Sequence, residues 1–258
     1  MRPLVPVSLS ARIALGVAFF IVFFAAWGYA TLGGYVTKTF LADPLTMVSD
    51  GWDLLVKFDF SYDIVMTIWR VAGGFVLAAV VAVPLGVAMG AYKPIEAFFE
   101  PFVSFARYLP VSALIPLLIL WAGLGELQKL LVIFLGSVFQ IVLMVTTSVG
   151  ATRRDLVEAA YTLGSREGSV VWRVLIPANA PEIAEILRLV LGWAWTYVIL
   201  AELIGSSEGI GHMIMDSQSR INATGQIIFG IVVIGFIGLI SDFLFKAINV
   251  WLFPWKLA

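Results

Sequence analysis

Glu158-Ala159-Ala160-Tyr161-Thr162-Leu163-Gly164, followed after nine residues by Val174-Leu175-Ile176-Pro177, is the stretch whose reading decides the fold. It is a polar island in an apolar chain, in which hydrophobic residues make up 61% of 258 and the mean hydropathy is +1.00. Leu156, Val157, Ala160 and Leu163 recur at helical spacing on one face, and Glu158 lies off it. Asp155 stands where an N-cap is expected, and Gly164 can adopt the left-handed geometry that closes a helix. Pro177 and Pro181 are expected to stop a second helical stretch, Ser165–Ile176. Two roles suit such a helix: an amphipathic connector resting on a bilayer, or a shallow Ala159-Ala160 surface that seats in a partner's groove.

Working outward, the flanks are long enough to cross lipid. A hydrocarbon core of about 30 Å needs about 20 apolar residues at 1.5 Å each, and only 13% of the chain is charged. The fold class expected is all-α integral membrane, with about six spans: Ile13–Gly33, Ile64–Tyr92, Phe98–Gly123, Leu130–Val149, Ile183–Gly205 and Ile227–Val250. The first is read as a retained span rather than a signal peptide. Pro84, Pro110 and Pro116 should kink or break their spans, because proline removes a backbone donor and clashes with the preceding turn. Arg2, Arg12, Lys93, Arg153, Arg154, Arg166, Arg173, Lys246 and Lys256 fall on one side. Lys38, Lys57, Lys129 and Arg220 fall on the other. Positive charge collects inside, so both termini are expected in the cytoplasm, with the loop at about 150–181 on the same face. The acidic outer segment carrying Asp43, Asp50 and Asp53, with Trp52, Leu55 and Phe58 spaced among them, reads as a helix along the membrane surface. Residues 1–258 are read as one transmembrane domain.

Composition also excludes. There is no cysteine, so thiol catalysis and Cys-based metal sites are ruled out. No glycine-rich loop ends in Gly-Lys-Ser/Thr, and the single histidine, His212, is read in an outer loop without a metal-ligating cluster. A net charge of -1 makes no electrostatic case for nucleic acid. The chain is not expected to be an enzyme, nor to hold a catalytic, cofactor or metal site of its own.

Glu158-Ala159-Ala160, Gly164 and Val174-Leu175-Ile176-Pro177 resemble the E-A-A loop of ABC importer permeases. Further fragments resemble the nitrate, taurine/alkanesulfonate and bicarbonate branch. These include Thr67-Ile68-Trp69-Arg70-Val71-Ala72-Gly73-Gly74, Pro84-Leu85-Gly86, Leu109-Pro110-Val111, Trp121-Ala122-Gly123-Leu124-Gly125-Glu126, Gly192-Trp193-Ala194-Trp195, Ala201-Glu202 and Gly209-Ile210-Gly211. The resemblance implies a type I ABC importer-like transmembrane domain, a homodimer or paired permease in a bacterial inner membrane. It also implies two cytoplasmic ATP-binding subunits that hold ATP and Mg, and an extracytoplasmic solute-binding protein. Glu158, Ala159, Ala160, Gly164 and Pro177 would then couple the chain to the ATPase. The implied cargo is a small oxyanion or organic anion. An ion-coupled carrier and a non-transporting scaffold are the alternatives from other classes.

Five charges fall inside the spans, where an unpaired one costs about 2.5–3.5 kcal/mol. Depth matching pairs Arg70 with Glu202 near the outer leaflet and Arg188 with Asp242 in the inner half. Arg107 has no acidic residue at its level and sits beside Tyr108 and the first proline break. It is a candidate contact for a passing anion, with snorkelling or a bond to a freed carbonyl as the plain alternatives. Tyr108, Trp195 and Glu202 are the other candidates for the path. Gln140 reads as a hydrogen-bonding tie between spans.

Overall fold

A computed structural model describes residues 7–220 and 223–256; Arg2 lies outside the described residues. Helices account for the regular structure there. Helix α1 is Leu9–Leu32, capped by the Ser8 hydroxyl, and α2 is Pro44–Lys57. Asp43 caps α2, its carboxylate accepting from Leu45 N at 3.1 Å and from Thr46 N at 2.9 Å. The Thr46 N–H and hydroxyl and the Lys38 ammonium hold the Asp43 carboxyl well below the usual carboxylate range. Beyond α2 lie α3 (Phe60–Ala91), α4 (Lys93–Ala106), α5 (Val111–Ala122) and α6 (Glu126–Gly150). Next come α7 (Arg154–Thr162), α8 (Glu167–Val170), a π turn (Val171–Leu175), α9 (Ile176–Leu203), α10 (Ile210–Ser219) and α11 (Thr224–Leu252).

Among the described residues five helical stretches are long and apolar enough to cross a membrane: α1, α3, α6, the continuous run Glu167–Leu203, and α11. The expected third span, Phe98–Gly123, is not one helix. It is α4 and α5, bent by 97° between them, which makes a sixth crossing only if the pair counts as one. The break falls where proline rules place it: Pro110 bars the helical conformation of the residue before it and itself sits extended, at φ -67° and ψ 116°. Pro84 and Pro116 instead stay within continuous helices.

Two compact units are present. One runs through Phe60 and includes Met213–Val232; the other is Ser61–His212 with Val233 onward. In the first, Trp27 donates its indole N–H to Ala42 O at 2.9 Å, and Phe60 packs on Phe229 with ring centroids 6.0 Å apart. The acidic segment forms a helix, α2. Its buried face is Met47, Gly51 and Leu54, whereas Trp52, Leu55 and Phe58 are exposed.

In the second unit α6 lies against α9, with Val138, Ile141, Val142 and Val145 packed in one core with Ile183, Ile186, Val190 and Val198. Helix α3 approaches α6 closely through glycines: a Cβ at Gly74, Gly86 or Gly90 would meet Ile133, Val145 or Val149 at 2.7–2.8 Å. Small residues let backbones close in this way where lipid offers no hydrophobic drive for helix association.

Candidate functional site

The polar segment between α6 and α9 is built to present one short helix. Arg153, not Asp155, occupies the N-cap of α7; Asp155 lies in the first turn, where a carboxylate favours the helix dipole, and is ion-paired to Arg153. Pairing with Arg153 lowers the Asp155 carboxyl pKa. Val157 and Ala160 turn inward, with Ala160 in the same core as Val170 and Leu175. Leu156 and Leu163, expected on that face, are exposed, as are Glu158 and Ala159. Gly164 takes φ +82°, the left-handed value that ends the helix after Leu163.

The prolines do not stop the next helix. Pro177 sits in the first turn of α9 and Pro181 lies within it, so the helix runs on from Glu167 to Leu203. The π turn Val171–Leu175 lies just ahead of Ile176 and Pro177, and its wider winding accommodates a residue without an N–H at the start of α9. Asn179, 7% exposed, ties the segment to the spans. Its amide donates to Thr152 Oγ1 at 2.7 Å and to Leu175 O at 2.8 Å, and its Oδ1 accepts from Ser148 Oγ at 3.3 Å. A cavity of about 520 Å³ lies behind α7, lined by Gly90, Tyr92, Arg154, Glu158, Tyr161 and Glu167 among others.

At the far end of the same unit the structure brings Arg70 and Glu202 together, Nη1 to Oε1 at 2.8 Å, both side chains almost wholly buried. Further groups close the site. Glu126 takes Arg70 Nε and Nη2 in a two-point bond at 2.8 and 2.7 Å, and Lys129 lies 3.2 Å from the same carboxylate. Glu208 O accepts from Nη1 at 2.8 Å. Glu202 also accepts from Thr67 Oγ1 and from Gly211 N at 2.9 Å each. The turn Gly209-Ile210-Gly211 must be glycine-rich here: a Cβ on Gly209, at φ +107°, would stand 2.4 Å from Glu202 Oε1. Asp63 accepts from Gly209 N at 2.6 Å, pinning the same turn to α3. His212 lies in α10, half-buried, rather than in a loop.

Arg188 and Asp242 also meet, Nη1 to Oδ1 at 2.5 Å, with Glu185 on the other side of the guanidinium at 2.8 Å. The path candidates separate. Arg107 and Tyr108 line a cavity of about 320 Å³ at the α4–α5 break. Trp195 is buried in the α6–α9 core, and Glu202 is held in the Arg70 cluster, so neither joins them.

Residues 82–254 match the model of the family described as binding-protein-dependent transport system inner membrane component. The chain belongs to that family. A probable ABC transporter permease of Brucella abortus is 34% identical over 95% of this chain and 96% of its own. A putative aliphatic sulfonates transport permease of Bacillus subtilis is 31% identical over 91% of this chain and 85% of its own. Among solved structures, a chain of the MetNI methionine ABC transporter, facing inward, has TM-score 0.61 at 19% identity. That likeness covers 80% of this chain and 95% of the other, and the fold it shares is that of a type I importer.

This permease holds groups that depth matching along the sequence missed. Glu126 ends the Trp121–Glu126 motif and lies at the same level as Arg70, so its position was a signal for pairing. Asn179 carried a weaker one, as a lone amide two residues beyond Pro177.

Proposed function

We propose that the chain is the membrane-spanning subunit of an ATP-driven importer, forming the passage for a small oxyanion or organic anion. The observation that carries this is α7: a nine-residue helix with Glu158 and Ala159 exposed, closed by Gly164 and seated through Ala160 in the core of two span-length helices, whose ends Asn179 ties together. An exposed lever rigidly tied to spans passes on a push, which a helix lying loosely on lipid does not. The family, and the relative named for aliphatic sulfonates, support transport of an anion.

On this reading two cytoplasmic ATP-binding subunits hold the nucleotide and Mg, and their closure draws the α7 levers of two permease copies together. An extracytoplasmic binding protein delivers the solute to the opposite face. The permease's own residues supply no bond-breaking chemistry; they transmit displacement and line the passage. Both termini and α7 are then cytoplasmic in a bacterial inner membrane.

Ala159 gives the sharper test, because Ala160 is buried and Ala160→Glu would disturb packing as well as docking. The full chain, tagged and purified from its native membrane, is expected to bring down a vanadate-sensitive ATPase. Ala159→Glu is expected to lower that recovery about tenfold, since a carboxylate then stands in a groove shaped for a methyl group. Equal ATPase recovery with wild type and variant, or none with wild type, overturns the reading.

A further inference from the structure

At the break between α4 and α5, chain geometry opens a cavity of about 320 Å³ within the second unit. Its lining joins Arg107 and Tyr108 at the break to two polar side chains from other helices. Arg107 closes α4, Gln140 comes from mid-α6, and Tyr197 comes from α9. Arg107 is only partly satisfied: Nη2 donates to the Tyr108 hydroxyl at 2.6 Å, and Nε is buried without a partner. Its guanidinium carbon stands 4.5 Å from the Tyr108 ring centroid. Among the described residues no acidic side chain pairs with Arg107, and neither the Gln140 amide nor the Tyr197 hydroxyl makes a hydrogen bond. A buried donor without an acceptor costs about 1–3 kcal/mol. Beside it, the cavity offers the Arg107 charge and two polar groups that make no hydrogen bond within the protein.

The remaining walls are apolar: Leu135, Phe139 and Val111, with the Tyr197 ring. Gly136 admits that ring, for a Cβ there would stand 2.4 Å from it. A bare inorganic oxyanion would use the donors and leave these walls idle. The volume lies at the lower end of about 300–1,000 Å³ seen for organic ligand sites.

We infer that this cavity binds an organic anion with an oxyanion head and a compact apolar body, an aryl or alkyl sulfonate or carboxylate. Arg107 takes the head, Gln140 and Tyr197 supply the neutral hydrogen bonds, and Phe139 with the Tyr197 ring packs on the body. The inference rests on the transport reading above and narrows its cargo.

The test uses the full chain in lipid nanodiscs, with benzenesulfonate as the probe followed by isothermal titration. Saturable binding is expected, weakened about tenfold by Arg107→Gln, the loss of one charge-assisted contact. Gln140→Leu and Tyr197→Phe each weaken it about threefold, and nitrate competes at least about tenfold less well than benzenesulfonate. If Arg107→Gln does not yield monodisperse protein, Gln140→Leu and Tyr197→Phe decide. Wild type that binds no benzenesulfonate, variants within about twofold of wild type, or nitrate competing equally well overturns the site. ATPase recovery separates the two proposals. Failed binding with intact recovery removes this cavity alone, and lost recovery removes the transport reading itself.

Discussion

Arg70 places a permanent charge at 1% exposure, with Glu126 and Glu202 as its carboxylate partners and Lys129 beside Glu126. Breaking a buried pair from one side leaves the other charge without compensation and costs about 3–5 kcal/mol. Arg70→Met is therefore expected to lower the melting temperature of the detergent-purified chain far more than Glu126→Gln, whose carboxylate is 47% exposed. Similar losses in the two variants would mean that Glu202 is not the group that needs the cation. Exchanging the charges, Arg70→Glu with Glu202→Arg, is expected to leave the fold unrescued. The new carboxylate would face Glu126 and the Glu208 carbonyl, and the new guanidinium would face the Gly211 N–H. Depth along two spans was enough to pair Arg70 with Glu202 from the sequence. The rest of the cluster was hidden because it depends on backbone turns, Gly123 at φ +74° ahead of Glu126 and Gly209 at φ +107° ahead of Gly211. Arg107 shows the converse: its lack of an acidic partner was legible, but which side chains share its cavity was not, since Gln140 and Tyr197 are distant in sequence.

Helices here differ in how closely they approach one another, and that decides what a single methyl group does. Gly74, Gly86 and Gly90 of α3 face Ile133, Val145 and Val149 of α6 at one constant sequence offset, the mark of two parallel helices held in fixed register. Gly86→Ala would set a methyl 2.8 Å from Val145 Cβ and 2.9 Å from the Val142 carbonyl, neither of which can swing away. It should destabilise by about 1–3 kcal/mol. Gly235→Ala, in α11 with nothing within 4 Å, should gain about 0.5–1 kcal/mol from helix propensity instead. Thermal melting of the two variants checks the opposite signs; a Gly86→Ala protein as stable as wild type would mean that the α3–α6 contact yields. The spans themselves were legible, because long apolar runs admit few alternatives in a bilayer. Proline effects were read less well. Pro110 breaks the chain because it sits in an extended conformation itself and bars the helical one to the residue before it. Pro177 and Pro181 do not stop the chain: a π turn just ahead of α9 shifts the hydrogen-bond register before Pro177, and the helix carries Pro181 within it. Period and composition do not reveal a π turn, so the coupling segment was expected to end where it in fact continues.

For the whole molecule, exposed apolar surface and charge placement together define how it sits in lipid. The spanning window of α1 has none of its residues buried and that of α11 only 6%, so both present apolar surface that only lipid or another protein can cover. Such helices do not fix which face of the membrane carries α7; the positive charges give the expectation. Arg153, Arg154, Arg166 and Arg173 surround α7 and α8, whereas the α10 end carries Arg220 already paired with Asp216. Positive charge is retained on the cytoplasmic side, so α7 is expected inside, and the single run Glu167–Leu203 then leads to an outer segment before α10. The absence of cysteine makes this testable without first stripping the protein. Gly168→Cys places a thiol where a Cβ meets nothing within 4 Å, and Gln218→Cys places one at an exposed position of α10. A membrane-impermeant maleimide added to intact spheroplasts is expected to label position 218 at once and position 168 only after permeabilisation. Labelling of 168 from outside would put α7 on the face away from any nucleotide, and the coupling role would be lost with it. Labelling of neither position before permeabilisation would place α10 inside and contradict the odd number of crossings between the two sites, the single run Glu167–Leu203.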